Sequence, residues 1–397
     1  MPAPSLSVYV HLPWCERKCP YCDFNSHESV SIPERAYVDA LIGDLDAELA
    51  LAPWLRERSI ISVFIGGGTP SLFSVEAIGR LIEALRSRLT LAEGVEVTME
   101  ANPGSTERAR LAGYVDAGVS RFSLGVQSFD DACLRALGRV HDARDARLAV
   151  DAALGSGASR VNIDLMHGLP GQDLRAGLGD LEVALASGVT HISWYQLTIE
   201  QNTRFYAAPP ALPKEEVLAQ IEELGSAQLR DAGFSRYEVS AWAVPGQECR
   251  HNLNYWRFGD YLALGAGAHG KLSDPEGRVQ RYRKTRQPDA YLGRGGGQRR
   301  GLHTLTESDL CGEFMLGALR LSAGFERGLF EAHTGLPYSR IAEEVGALID
   351  AGLMLEEGDR LRPSARGFCY LDDLVGRFFG DDELIASERG SAGAQAV

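Results

Sequence analysis

Apolar and polar positions along the chain switch repeatedly between two periods. Apolar, β-branched runs recur as SLSVYVHL (5–12), SVFI (62–65), VEVTME (95–100), RFSLGV (121–126), RVNIDLM (160–166) and HISWYQLTI (191–199). Runs of this length, closed by turn residues, predict strands. Between them the apolar residues step at helical intervals, as in AYVDALIGDLDAELAL, where Tyr37, Leu41, Leu45 and Leu49 repeat every four positions. Strands alternating with amphipathic helices predict parallel pairing through right-handed crossovers, with strands that are near-continuously apolar because both faces are covered.

Six such units make either an open sheet or a partly closed barrel, and the placement of polar residues decides between them. In a β/α barrel the chemistry gathers where strands end and βα loops begin. Here a cysteine cluster follows the first run, and Gly66-Gly67-Gly68-Thr69 follows the second. Glu100 and Asn102 end the third run, Gln127 and Ser128 end the fourth, and Asp164 stands just before a His167-Gly168-Leu169-Pro170-Gly171 turn. Polar groups at five successive strand ends describe a rim around one cavity.

The expected fold class is therefore α/β, with a partial (β/α)6 TIM-like barrel over 1–205. A C-terminal α+β extension is expected over 206–303, beginning with a helix from about Lys214 to Ala232 and continuing through RYEVSAWAV, CRHNLNYW and LGAGAHGKL. Helical segments from Leu305, then a hairpin turning at Gly358-Asp359, predict a winged-helix-like module over 304–380, and 381–397 reads as a frayed tail.

Charge narrows the partners. Lys and Arg total 40 against 54 Asp and Glu, a net charge of −14, which argues against broad nucleic-acid or anionic-membrane binding. Arg281, Arg283, Lys284 and Arg286 form a local basic patch whose ordinary reading is a solvated loop. No run of 18 apolar residues appears and MPAPSLSVYV lacks the pattern of a signal peptide, so a cytoplasmic protein is expected, at most in passing contact with the inner face of the membrane. Seven cysteines is an odd count for a compartment that keeps thiols reduced, and no disulfide framework is expected.

Cys15, Cys19 and Cys22 lie within eight positions. Three local thiolates suit structural zinc, a redox thiol pair or an iron–sulfur cluster. Zinc asks for a fourth ligand at finger spacing, and none follows nearby. A Cys19–Cys22 redox pair leaves Cys15 unexplained. A 4Fe-4S cluster on three cysteines leaves one iron open for chemistry.

The spacing Cys-x-x-x-Cys-x-aromatic-Cys resembles the signature of the radical S-adenosylmethionine (SAM) superfamily. The resemblance implies that Cys15, Cys19 and Cys22 bind three irons, that SAM chelates the fourth, and that Tyr21 lies beside the adenine. Gly66 to Thr69 then resembles the loop that receives the SAM amino group, with Glu100 as a carboxylate partner.

PWCERKCPYCDFNS, IGGGTPS, EANPGS, RFSLGVQSFD, LGRVHD and NIDLMHGLPGQ together resemble the oxygen-independent coproporphyrinogen III oxidase family and its heme-chaperone relatives, the HemW group. This resemblance implies that Tyr9, Gly67 and Glu100 adjoin the cluster-bound SAM. It also implies that Gly68, Thr69, Gln127, Arg139 and Asp164 bind a second SAM or line the same cavity. On residue type alone, Arg139 is equally a helix-end cation and Asp164 a buried acceptor.

Two departures weaken the oxidase reading. Phe24 stands where the oxidase pattern has a fourth cysteine, and only eight residues precede Tyr9. A third feature, His251-Asn252-Leu253-Asn254-Tyr255-Trp256, matches the HNxxYW motif of the chaperone group. Its imidazole suits heme iron and its aromatics suit a macrocycle, making His251, Asn252, Tyr255 and Trp256 candidate heme positions, although a buried turn histidine beside two core aromatics has the same sequence. Cys249 reads as an inert buried thiol.

The expected function is thus heme binding and delivery to a recipient such as a respiratory membrane protein, with an electron donor for the cluster. The competing expectation is an enzyme that oxidatively decarboxylates two propionates of coproporphyrinogen III.

Overall fold

A computed structural model describes residues 3–295, 297 and 299–379. The tail expected over 381–397 lies outside the described residues.

The six predicted runs are six strands: β1 (Leu6–Leu12), β2 (Ser59–Gly67), β3 (Thr90–Ala101), β4 (Arg121–Gln127), β5 (Arg160–His167) and β6 (His191–Gln196). They pair in parallel, each with the next. Helices cover their outer side, chiefly α1 (Glu34–Leu51), α2 (Val75–Arg88), α3 (Ala143–Leu154), α4 (Leu174–Ala186) and α5 (Glu215–Asp231). Tyr37, Leu41, Leu45 and Leu49 of α1 are each 1% exposed or less, so the four-residue stripe is the buried face.

The sheet continues past residue 205 on both edges. A hairpin, β7 (Ser235–Glu238) and β8 (Ala241–Ala243), adds antiparallel to β6. On the other edge β9 (Asp260–Leu264) pairs parallel to β1, and β10 (His269–Ser273), β11 (Val279–Arg283) and β12 (Arg300–Thr304) follow antiparallel. The full order is β12-β11-β10-β9-β1-β2-β3-β4-β5-β6-β8-β7.

The strands are not near-continuously apolar as expected. They alternate, with Phe64 as an apolar exception on the inner side. Leu6, Val8, Val10, Val63, Ile65, Val97, Met99, Phe122, Leu124, Val161 and Ile163 belong to one core cluster with the helices. The residues between them (Ser7, Tyr9, His11, Ser62, Thr98, Glu100, Ser123, Asn162, Asp164 and His191) turn to the opposite, inner face. Period-2 polarity on buried parallel strands means that the inner face lines a polar cavity instead of an apolar barrel core.

One buried charge cluster ties the new edge to α1. Lys284 Nζ bonds Asp44 Oδ1 at 2.5 Å and Glu48 Oε1 at 2.7 Å, with all three side chains fully buried. Arg299 reaches the other oxygen of Glu48 at 2.7 Å, and Tyr291 donates to Asp44 at 2.7 Å. Three partners making four bonds to two carboxylates meet the requirement that buried charge be paired and hydrogen-bonded.

After the short helix α6 (Arg250–Trp256), which precedes β9, the C-terminal module comprises α7 (Glu307–Ala318), α8 (Arg327–Thr334) and α9 (Ser339–Asp350). A hairpin of Met354–Glu357 and Arg360–Pro363 follows, turning at Gly358-Asp359. Phe314 anchors a separate core, edge-on to Phe325 and Phe330 at 5.1 Å each. No helix among the described residues is long and apolar enough to cross a membrane.

Candidate functional site

The cysteine loop leaves the top of β1 and is pinned from beneath. His11, the last inward residue of β1, places Nε2 on the Asn25 carbonyl at 3.0 Å. Asn25 in turn donates from Nδ2 to the carbonyls of Ala266 and Arg286 at 2.9 and 3.0 Å, joining the loop to the turns after β9 and β11. Each thiol has a polar neighbour. Thr69 Oγ1 donates to Cys15 Sγ at 3.5 Å, Arg139 Nη1 donates to Cys19 Sγ at 3.4 Å, and Ser26 Oγ lies 3.6 Å from Cys22 Sγ. A cavity of about 290 Å³, bordered by Glu16, Arg17, Cys19, Asn102, Arg139 and His141, opens beside Cys19.

The glycine loop packs directly under the cysteines. Gly67 has φ +116°, and a Cβ there would stand 2.6 Å from the His11 ring. At Gly68 a Cβ would meet the Trp14 carbonyl at 2.4 Å. Only glycine permits this approach. The Gly67 N–H donates to Glu100 Oε2 at 3.0 Å, while Gly68 and Thr69 donate to the carbonyls of Leu12 and Trp14 at 2.8 and 2.7 Å.

Further along the rim stand two carboxylates without a cation bonded to either among the described residues. Burial, and then the like charge of Asp164, push Glu100 up to about 7. Burial also raises Asp164, although Asn162 and Ser123 donate to it at 2.7 and 3.2 Å. Gln127 sits at φ 70°, a left-handed conformation that a non-glycine residue adopts only under constraint, and its Oε1 accepts from the Tyr195 hydroxyl at 2.9 Å. Arg139 is held by Asn102 Oδ1 at 2.6 Å and the Gly125 carbonyl at 2.8 Å, which leaves its buried Nε without a partner.

The HNxxYW helix forms the cavity floor. His251 is 2% exposed, with Nδ1 3.2 Å from Ser62 Oγ and its ring 5.1 Å from Phe64, below Tyr9 at 6.4 Å. Asn252 donates to the Tyr237 hydroxyl at 3.4 Å. Tyr255 and Trp256 face the other way, Tyr255 onto Tyr261 at 5.1 Å and Trp256 beneath the Arg320 guanidinium at 4.3 Å. The motif therefore divides between the barrel floor and the packing of the C-terminal module. Cys249 is fully buried, its Sγ 3.5 Å from Glu96 Oε1.

Tyr9, Tyr21, Gly67, Gly68, Thr69, Glu100, Gln127, Arg139 and Asp164 thus gather with the three cysteines at one end of the barrel, while His251 lies beneath them. The residues suit the groups the sequence suggests. Among the described residues no three His, Cys, Asp or Glu side chains converge as a single metal ion requires. Two half-buried carboxylates with raised proton affinity suit a cationic ligand such as the ammonium of SAM. Thr98 Oγ1, Arg121 Nε and Asn252 Oδ1 are buried in the barrel without partners, as in a polar cavity that receives a guest. Sequence reasoning missed His11, Asn25 and Tyr195. Strand alternation would have found His11, which shares a face with Tyr9.

Comparisons with known proteins agree with this arrangement. Residues 9–177 match the Radical SAM superfamily and residues 305–370 match the HemN C-terminal domain. The heme chaperone HemW of Haemophilus influenzae is 44% identical over 386 residues, covering 96% of this chain and 99% of that protein. The heme chaperone HemW of Escherichia coli is 45% identical over 379 residues, covering 95% and 99%. Among solved structures, coproporphyrinogen III oxidase (HemN) from Escherichia coli shares the fold with a TM-score of 0.78 at 21% identity, covering 95% of this chain and 91% of that one. With relatives this similar along almost their whole length, the chain belongs to the HemW family of the radical SAM superfamily.

Proposed function

We propose that this protein is a heme chaperone: it binds heme and passes it to a recipient such as a respiratory membrane protein reached from the cytoplasmic side. The observation that carries the reading is its near full-length relation to two proteins named heme chaperones. Phe24, 38% exposed where the oxidase pattern has cysteine, supports it over coproporphyrinogen oxidation.

Membership of the radical SAM superfamily implies a 4Fe-4S cluster and SAM. In our reading Cys15, Cys19 and Cys22 hold the cluster, which when bound supplies one electron to SAM from an external donor. Glu100 and the Gly67 backbone receive the SAM ammonium, and Tyr9 and Tyr21 flank the ligand. Gly68, Thr69, Gln127, Arg139 and Asp164 complete the cavity or take a second SAM. Arg139 sets its guanidinium against the Cys19 sulfur, to which it donates. Residues 1–205 act as the cofactor barrel, 206–303 as the extension that closes its floor and edge, and 304–380 as the module that faces partners.

Hemin titration of the full chain, reconstituted without oxygen with iron and sulfide, tests this function. A saturable Soret band is expected. Its absence, together with vinyl formation from coproporphyrinogen III, would establish the oxidase instead.

A further inference from the structure

The basic patch at 281–286 is not the solvated loop its sequence suggests. It is the end of β11 and the turn beyond, and alternation sends its charges to opposite faces. Tyr282 and Lys284 face α1, where Lys284 is consumed by Asp44 and Glu48. Arg281 and Arg283 face the other way. Register aligns His269 with Arg283 and Lys271 with Arg281, Tyr261 with Lys271, and Ser7 with Tyr261. His269, Arg281 and Arg283 therefore extend the inner face of the barrel beyond β1.

The lower part of this wall is neutralised. Lys271 is buried on Asp260 at 3.0 Å, and Arg281 is bound to Glu313 at 2.6 Å. The upper part is not. His269, Arg283 and Arg286 are exposed, and no carboxylate forms an ion pair with any of them among the described residues. A histidine set beside guanidinium groups without carboxylate partners, on a chain of net charge −14, complements a metal centre with anionic groups on its periphery.

We propose that this wall is the heme site, with His269 as the axial ligand and Arg283 and Arg286 as partners of the two propionates. The inference rests on the chaperone reading above and specifies its site, distinct from the buried His251. The Arg286 carbonyl accepts from Asn25 at 3.0 Å, so a macrocycle held here lies against the cysteine loop at the barrel mouth.

The test uses the reconstituted full chain, with hemin, hemin dimethyl ester and iron-free protoporphyrin IX as probes. Because all three side chains are exposed, His269→Ala and Arg283→Glu/Arg286→Glu are expected to fold and keep their iron. For hemin, His269→Ala is expected to shift the Soret band and weaken binding about tenfold, and the double arginine variant to weaken it about 10- to 100-fold. The dimethyl ester should bind the unsubstituted protein weakly and the arginine variant no worse. Iron-free protoporphyrin should keep the arginine dependence and lose the histidine dependence. Unchanged hemin spectra and affinity in both variants, with the unsubstituted protein binding normally, would overturn this site and leave the chaperone function standing. No hemin binding by the unsubstituted protein would overturn both.

Discussion

The Tyr9 hydroxyl donates a hydrogen bond to His11. The two meet at 2.9 Å through Nδ1, and Nε2 faces the Asn25 carbonyl, which can only accept, so the ring's single proton is on Nε2 and Nδ1 must receive. Burial holds this ring neutral, with its proton affinity lowered to about 4. The Tyr9 oxygen is left with only lone pairs to offer the cavity, and β1 is bonded to the cysteine loop through the same ring.

His11→Phe keeps the volume and breaks both bonds, leaving buried polar groups unpaired at a cost of roughly 1–3 kcal/mol each. The expected result is faster loss of iron and sulfide from the reconstituted protein and weaker SAM binding, partly rescued by His11→Gln. Equal iron retention and SAM affinity in His11→Phe would show that the ring is only packing.

Glu100 gives a prediction with a definite sign. In the folded protein it titrates at about 7, whereas in an unfolded chain a glutamate titrates at about 4.3. Between those values the folded form holds a proton the unfolded form has released, so this group lowers stability as pH rises through the window, with the full loss above about 7. Glu100→Gln should therefore stabilise the SAM-free protein at pH 8 by about 1–3 kcal/mol and leave it unchanged near pH 4. It should also weaken SAM binding by roughly tenfold or more, because an amide offers the ammonium no charge. Denaturant melts at the two pH values and SAM titration read these effects, and a variant less stable at pH 8 would contradict the account. For the same reason, SAM affinity of the unsubstituted protein should rise with pH until Glu100 is ionised.

On the proposed function the thiols separate into cluster ligands and bystanders. Cys249 is fully buried and its proton affinity is pushed up to about 12 by burial, so it stays a thiol. Cys19→Ala should abolish iron loading under anaerobic reconstitution, whereas Cys249→Ala should load normally and lose only packing stability. A full complement of iron and sulfide in Cys19→Ala would remove that residue from the cluster.

The parts of the molecule written in local pattern were legible in the sequence. Six strands, the stripe of α1, the hairpin at Gly358-Asp359 and the rim from Cys15 to Asp164 all follow from periodicity and from where polar residues interrupt it. Other features depend on pairing between distant segments. The polar face of Ser7, Ser62, Thr98 and Asn162 was misjudged because alternation in a buried parallel strand is informative only once a cavity is known. β9 to β12 were not resolved one by one within the expected α+β extension, because their strand character comes from pairing in succession outward from β1. Lys284 looked like a surface charge for the same reason, since its partners are some 240 residues earlier.

The position of β1 between β2 and β9 has a consequence for how the protein is made. When the ribosome has released the first two hundred residues, the strand carrying the cysteine loop is still an open edge. Its second neighbour, the carbonyls that grip Asn25 and the lysine that neutralises Asp44 and Glu48 are yet to be synthesised. The full grip on the cysteine loop therefore exists only once Arg286 has emerged from the ribosome, which makes that loop one of the last parts of the barrel to be fixed.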